Sequence, residues 1–196
     1  MLDRSCKIVK FQFNSIKTTQ AACHLLKRKG AGMSKGVLIK MLYLADRELL
    51  ARRGHPLTGD QPVSMKNGPV LSITYDLTKG DALSHRAYWE QHITNSPRGS
   101  MSISPKKPCE IDRLSKAEVR VLDEVFDRFK DYTWTQLVEY CHSLPEWRNP
   151  GESSARIEFR TILLSLHKTS EEIAEIENQT VESEILDALL TNHAAN

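Results

Sequence analysis

The segment that decides the fold is Lys40-Met41-Leu42-Tyr43-Leu44-Ala45-Asp46-Arg47-Glu48-Leu49-Leu50. At about 100° per residue it forms a helix whose apolar side chains cover nearly the whole circumference. Only the arc that carries Lys40, Arg47 and Ala51 is clearly polar. A helix that is apolar on almost all sides is usually the central, buried one. The sequence therefore predicts a fold that is built around this helix.

Asp46 is the polar exception inside the apolar arc, where it falls between Leu42 and Ile39 on the helical wheel. A buried carboxylate is costly unless it is ion-paired or accepts hydrogen bonds. We therefore expect Asp46 to act as a brace that accepts hydrogen bonds from the following loop or from Lys66. The alternative interpretation is an enzyme that uses Asp46, Asp60 and Lys66 as an acid/base cluster.

The segment that follows the helix has the composition of a constrained loop. Gly54 comes after two arginines, as is typical of a helix C-terminus. The loop beyond it contains prolines and a glycine, which restrict its backbone. Residues 62–67 have the pattern of an extended run that ends at Gly68. Pro69 is then expected to open a helix over residues 69–79.

The order and spacing of these residues resemble those of a known family. The first block of motifs is Leu42-Tyr43-x-Ala45-Asp46, His55-Pro56-x-Thr58-Gly59-Asp60, Met65-Lys66-Asn67-Gly68-Pro69-Val70 and Tyr75-Asp76-Leu77. The second block is Leu114-Ser115-x-Ala117-Glu118-x-x-x-Leu122-Asp123, Leu137-x-x-x-x-His142 and Pro145-Glu146-Trp147. Over roughly residues 20–165 the chain resembles the Panacea domain, also called the SocA-like or phage-associated GepA-like family.

This resemblance implies an antitoxin that neutralises a toxin encoded beside it by binding that toxin. One member of the family is instead an adaptor that delivers its toxin to a protease, so a protease is an alternative partner. The resemblance also marks residues with structural or binding roles, namely Tyr43, Asp46, Thr58, Gly59, Asp60, Lys66, Asn67, Gly68 and Pro69.

The rest of the chain predicts an α+β domain that is mainly helical and contains a small antiparallel sheet. Residues 62–66 and 100–111 are the candidate strands. Capping boxes, in which a Ser or Thr is followed three positions later by Glu or Gln, predict helices that begin after Ser115, Thr133 and Thr169.

We divide the chain into a Panacea-like domain at residues 1–168 and an acidic helical extension at residues 169–196. The extension holds seven acidic residues and no Lys or Arg, whereas residues 1–60 hold twelve basic and four acidic residues. Its apolar side chains form a stripe on one helix face, Ile173, Ile176, Ile185, Leu186 and Leu189. Such a helix either docks on the basic N-terminal half of its own chain or lies in a groove of a partner protein.

Composition narrows the remaining classes of function. The sequence has no apolar run of membrane-spanning length and no signal peptide, and its four cysteines are scattered. We therefore expect a cytoplasmic protein with reduced thiols. It has neither a metal-ligand motif nor a phosphate-binding loop, and no recognisable nucleophile. We accordingly expect no metal, no cofactor and no enzymatic activity, although a hydrolase that uses Asp46 or Asp60 is a further alternative.

The basic first third supports a nucleic-acid-binding regulator as another alternative. Its first two predicted helices are joined by a short glycine-containing turn, as in a helix-turn-helix unit. The second of them is too apolar to act as a recognition helix, which must expose polar side chains to the groove. We therefore expect no sequence-specific DNA binding. The sequence leaves open the identity of the toxin, the interface and the oligomeric state.

Overall fold

The structure is a computed structural model that describes residues 10–30, 32–95 and 102–194. These residues form a mainly helical α+β fold, as predicted. The helices are α1 (Ser15–Lys29), α2 (Lys35–Arg53), α3 (Ser72–Lys79), α4 (Arg86–His92), α5 (Lys116–Phe129), α6 (Trp134–His142), α7 (Phe159–Ser165) and α8 (Ser170–Ala194). The strands are β1 (Met33–Ser34), β2 (Pro62–Met65), β3 (Gly68–Leu71), β4 (Ile93–Asn95), β5 (Ser102–Pro105) and β6 (Ala155–Arg156). Within this part of the chain, no helix combines the length and apolar character that a membrane crossing requires.

Helix α2 is the centre of the molecule, which confirms the prediction. It packs against α1, α5, α6 and β3. Its side chains Leu38, Leu42 and Leu49 are at most 1% exposed. The helix ends at Gly54, which has a φ of 71° and whose N–H donates to the carbonyl of Leu50. Because these elements all pack on α2, this helix fixes their positions relative to one another.

The strands form two antiparallel sheets of three strands each, in the orders β3-β2-β6 and β1-β5-β4. The sequence predicted a single small sheet. The candidate strand at residues 62–66 is β2, and the candidate at residues 100–111 contains β5. Residues 100 and 101 lie outside the described residues.

Strands β2 and β3 form a hairpin, and this corrects the prediction that Pro69 opens a helix. Pro69 lies within β3, opposite Ser64, and helix α3 begins only at Ser72. The reason is the turn at Lys66-Asn67, after which Gly68 has a φ of 105°. An Asn-Gly pair between two extended runs is a strong hairpin signal, and it takes precedence here over the preference of proline for the first helical turn.

All three predicted capping boxes are present. Ser115 and Thr133 each accept from the backbone of the third residue of their helices, and the Glu118 and Gln136 side chains accept in return. At α8, the Glu172 N–H donates to Thr169 Oγ1 over 3.2 Å, and the Thr169 N–H donates to Glu172 Oε2 over 2.8 Å. These helix starts were predictable because the signal is local.

Acidic side chains of α5 pair with four of the twelve basic residues in residues 1–60. The ion pairs are Lys17–Glu118 at 2.7 Å, Arg53–Glu118 at 2.6 Å, Arg52–Glu124 at 2.5 Å and Arg28–Asp127 at 2.6 Å. Part of the basic charge therefore has its counter-charge inside the domain. These ion pairs reduce the need for a nucleic-acid partner to explain the composition.

Glu118 connects this cluster to the capping box of α5, and it is expected to make stability depend on pH. Burial by itself would raise the Glu118 pKa, but hydrogen bonds from Lys17 and Arg53 outweigh it and lower the pKa to about 2. In the unfolded chain the same group titrates near the ordinary glutamate pKa of 4.5. Its stabilisation is therefore fully present above about pH 5 and is lost as the pH falls from there toward 2.

We expect Glu118→Gln to lower the free energy of unfolding by roughly 2 kcal/mol at pH 7, a figure reduced because both cations are partly exposed. At pH 2.5 the variant and the wild type should differ much less. Urea unfolding at the two pH values measures this. Glu124→Gln, which removes an exposed acid of the same helix, is the control. A Glu118→Gln penalty that is equally large at both pH values would contradict the assignment.

Candidate functional site

Asp46 ties the loop after α2 to the helix itself. The side chain is 2% exposed. Its Oδ1 accepts from the backbone N–H groups of Leu57 and Thr58, both over 2.9 Å, and its Oδ2 accepts from the Thr58 hydroxyl. Burial raises the pKa of Asp46 to about 7, although the hydrogen bonds from Thr58 and Leu57 oppose this. The loop is therefore the source of the expected hydrogen bonds.

Lys66 was the other predicted partner of Asp46, and that prediction is wrong. Its ammonium lies 2.5 Å from Glu152 Oε1, and its side chain is 64% exposed. Lys66 occupies the hairpin turn between β2 and β3, which carries it to the surface and away from the buried carboxylate.

Asp60 holds the start of α3 in the same manner. It is 0% exposed and accepts from Ile73 N over 3.0 Å, from Thr74 N over 2.7 Å and from Thr74 Oγ1 over 2.7 Å. Helix α3 has no side-chain cap of its own at Leu71, so Asp60 supplies one from the preceding loop. Burial raises its pKa.

The hydroxyl of Thr58 joins the two carboxylates into one network. It donates to Asp46 and accepts from the Asp60 N–H over 3.0 Å. The acid/base interpretation placed Asp46, Asp60 and Lys66 together. The structure instead shows Asp46 hydrogen-bonded to loop backbone, Asp60 hydrogen-bonded to the first turn of α3, and Lys66 at the surface, an arrangement that supports the structural role.

Gly59 sits where the N-terminal segment crosses this loop. It has a φ of +67°, and a Cβ at this position would lie 2.1 Å from the carbonyl oxygen of Gln12. One residue earlier, the Thr58 carbonyl accepts from the Asn14 N–H over 2.9 Å. This close approach requires a residue without a side chain.

Tyr43 belongs to a second buried network, which is centred on Glu146. Glu146 accepts from the Tyr43 hydroxyl and from Arg47 Nε, each over 2.7 Å, and from Ser165 Oγ over 2.8 Å. Burial alone would raise the Glu146 pKa, but the hydrogen bonds from Arg47 and Tyr43 outweigh it and lower the pKa. The network ties α2 to the loop after α6 and to the end of α7.

A pocket of about 360 Å³ opens between α2, the β2–β3 turn, α3 and the start of α6. We call it the lysine pocket. Its lining residues are Lys35, Gly36, Ile39, Lys40, Met65, Lys66, Asn67, Gly68, Val70, Tyr75, Thr78, Lys79 and Trp134. Three of the resemblance residues, Lys66, Asn67 and Gly68, therefore share one wall. Pro69 lies beside them in β3.

Lys40 is the functional candidate that the sequence did not reveal. The helical wheel places it on the polar arc of α2, yet it is 1% exposed. The β2–β3 turn and α6 cover this side of α2. A helical wheel cannot predict such a contact between distant segments of the chain. Burial lowers the pKa of Lys40, against a smaller opposing effect of the Cys141 side chain.

A comparison with models of known protein families matches the part of the chain that holds these networks. A family model described as antitoxin SocA-like, Panacea domain, matches residues 38–148. The chain belongs to the Panacea-domain family. No curated protein and no solved structure matches it. The match begins in α2 and ends just after Trp147, so it is narrower than the resemblance drawn from the sequence.

The matched part of the chain contains the Asp46 network, the β2–β3 hairpin, Glu146 and the lysine pocket except for Lys35 and Gly36. Helices α1, α7 and α8 lie outside it. The division of the chain at residue 168 stays a prediction, and residues 1–9, 195 and 196 lie outside the described residues.

The first half of helix α8 packs against its own domain, whereas apolar side chains of its second half are exposed to solvent. The predicted apolar stripe therefore docks within the chain only in part. Ile173 is 0% exposed, Ile176 is packed against the core, and Glu177 pairs with Arg160 over 2.9 Å. A Cβ on Gly54 would lie 2.6 Å from Ile176, which shows how closely α8 approaches the end of α2. The outer stripe residues Ile185, Leu186 and Leu189 are 56%, 57% and 54% exposed.

Proposed function

We propose that this Panacea-domain protein is an antitoxin that neutralises a cognate toxin by binding it directly, without catalysis. The match to the antitoxin family over residues 38–148 is the observation that carries the proposal. The geometry supports it, because the two acids that an enzyme would need are both buried, with Asp46 hydrogen-bonded to loop backbone and Asp60 to the start of α3.

We further propose that the toxin docks on the outer half of α8. Ile185 and Leu186 are large apolar side chains that remain more than half exposed in the folded protein. An amphipathic helix with an exposed apolar face is a common element of protein recognition. Seven acidic residues in the extension also suit a toxin with a basic surface, such as one that acts on nucleic acids or nucleotides.

The test takes a small protein that is encoded next to this gene and is toxic when expressed alone, and co-expresses it with this chain. Growth should be restored, and the toxin should accumulate in a stable complex that co-purifies with this chain. Disappearance of the toxin during rescue would show the adaptor mechanism and contradict direct neutralisation. Absence of any complex or rescue would overturn the proposed function altogether.

The double variant Ile185→Ser/Leu186→Ser is expected to weaken toxin binding by roughly tenfold or more, because each apolar side chain contributes on the order of 1 kcal/mol when it is buried. Its melting temperature should stay at the wild-type value, since both side chains already face solvent. Calorimetric titration of the toxin and a thermal melt measure the two effects.

Leu83→Ser/Leu164→Ser is the matched control, because these leucines are 72% and 52% exposed elsewhere on the surface. The control should bind toxin as the wild type does. Equal binding by the α8 variant would move the interface to the body of the domain. Deleting the whole of α8 is a poorer experiment, because Ile173 belongs to the core.

A further inference from the structure

Lys40 is a buried lysine whose amino group has no acidic partner among the described residues. Its side chain is 1% exposed, and its Nζ has no hydrogen-bond partner among the described residues. Lysines are almost never fully buried unless they are paired, because transferring an ammonium group from water into a protein interior is costly. The charged form of Lys40 is therefore unfavourable at this position unless a counter-charge reaches the ammonium.

The surroundings of the ammonium are apolar and closely fitted. Its Nζ lies 5.7 Å from the centre of the Trp134 ring. A Cβ on Gly68 would come within 2.7 Å of the same atom, so the absence of a side chain there leaves room for the ammonium. The Trp134 ring in turn rests on Gly36, where a Cβ would lie 2.6 Å from it.

The rest of the lysine pocket determines which ligand would suit it. None of its thirteen lining residues is acidic, and its walls include Ile39, Met65, Val70, Tyr75 and Trp134. At the rim, Lys66 is already paired with Glu152 and Lys79 with Asp76. The pocket thus combines apolar walls with one buried cation that lacks a partner within the described chain.

We propose that the lysine pocket binds a small organic acid, with its carboxylate on the Lys40 ammonium and its apolar body against the aromatic and aliphatic walls. The volume of about 360 Å³ lies in the range of small-molecule sites, roughly 300–1,000 Å³. A single carboxylate matches a single buried ammonium, whereas a bare inorganic anion would leave the apolar walls unfilled. Trp134 is 40% exposed, and in this proposal its ring rotates outward to admit the ligand. This inference does not depend on the toxin.

The experiment uses phenylacetate as the probe and phenylacetamide as its neutral counterpart of the same shape. Titration into the full-length wild-type protein, followed by amide and indole NMR signals, should shift the resonances of Gly68 and Trp134. Phenylacetamide should bind at least roughly tenfold more weakly, since a charge-assisted hydrogen bond is then lost. The wild-type spectra alone are sufficient to test the proposal, without any variant.

Lys40→Met keeps an unbranched side chain, one atom shorter than that of lysine, and removes its charge. It should melt at or above the wild-type temperature, because an unpaired buried charge is removed, and it should lose phenylacetate binding by roughly tenfold or more. Lys130→Met, on an exposed lysine that does not line the pocket, should bind as the wild type does. Failure of phenylacetate to bind the wild type, or undiminished binding by Lys40→Met, would overturn the proposal.

Toxin neutralisation by Lys40→Met is measured in parallel. Retained neutralisation with lost phenylacetate binding supports a small-molecule site that is separate from the toxin interface. Lost neutralisation, combined with no phenylacetate binding by the wild type, would assign the carboxylate to the toxin and overturn the small-molecule proposal. Failure of the proposed antitoxin function would leave the phenylacetate result unchanged.

Discussion

Asp46→Ala is expected to lower the free energy of unfolding by about 3 kcal/mol. The substitution leaves three buried donors without an acceptor, namely the backbone N–H groups of Leu57 and Thr58 and the Thr58 hydroxyl. Each buried donor that loses its partner costs on the order of 1 kcal/mol. In a chain of this length the melting temperature should fall by roughly 6–12 °C. Thermal and urea unfolding measure the two quantities.

Asp46→Asn is the control that separates the hydrogen bonds from the charge. Its side-chain oxygen can still accept from the two backbone N–H groups, so it should lose only about 1 kcal/mol. Toxin binding by both variants should follow the fraction of folded protein. An Asp46→Ala variant with an unchanged melting temperature and lost neutralisation would overturn the structural role and place Asp46 in the interface.

Gly59→Ala is expected to cost about 3 kcal/mol or more. A φ of +67° is strained for any residue with a side chain, by roughly 1–2 kcal/mol. The added Cβ would also lie 2.1 Å from the Gln12 carbonyl oxygen, which is backbone and cannot rotate away. The N-terminal segment must then move, and the hydrogen bond from Asn14 N to the Thr58 carbonyl is broken at a further cost of about 1 kcal/mol.

Gly80→Ala is the matched control for this variant. Gly80 has a φ of +84°, yet nothing lies within 4 Å of the position of its Cβ. The control should therefore show only the backbone strain. Urea unfolding of the two variants isolates the cost of the close approach. Equal destabilisation would mean that the N-terminal segment does not cross the loop at Gly59.

The parts of the fold that could be predicted from the sequence are those with a local signal. Helix α2 was evident from its apolar circumference, and the starts of α5 and α6 from their capping boxes. Asp46 was recognisable as a brace because a carboxylate in an apolar arc requires donors, and the nearest flexible donors belong to the next loop. Pro69 was misassigned because two local preferences compete there, and the pairing of β3 with β2 decides between them.

The candidate site was less predictable, because it depends on which elements cover which face. Lys40 and Arg47 lie on the same polar arc of α2. Helix α6 and the hairpin bury Lys40, whereas Arg47 forms an ion pair with Glu146. One-dimensional patterns do not contain such contacts. The stripe of α8 is a similar case. Its residues look alike in the sequence, yet Ile173 is buried and Ile185 is exposed.

The way α8 is anchored also bears on how freely its sequence can change. Thr180 is the last buried side chain of this helix among those that the structure describes. Up to that residue, packing against the core constrains the buried face of the helix. Ile185 and Leu186 are more than half exposed, so packing within this chain places little constraint on them. Under the interface proposed above, substitutions at these two positions would alter recognition while the scaffold stays unchanged.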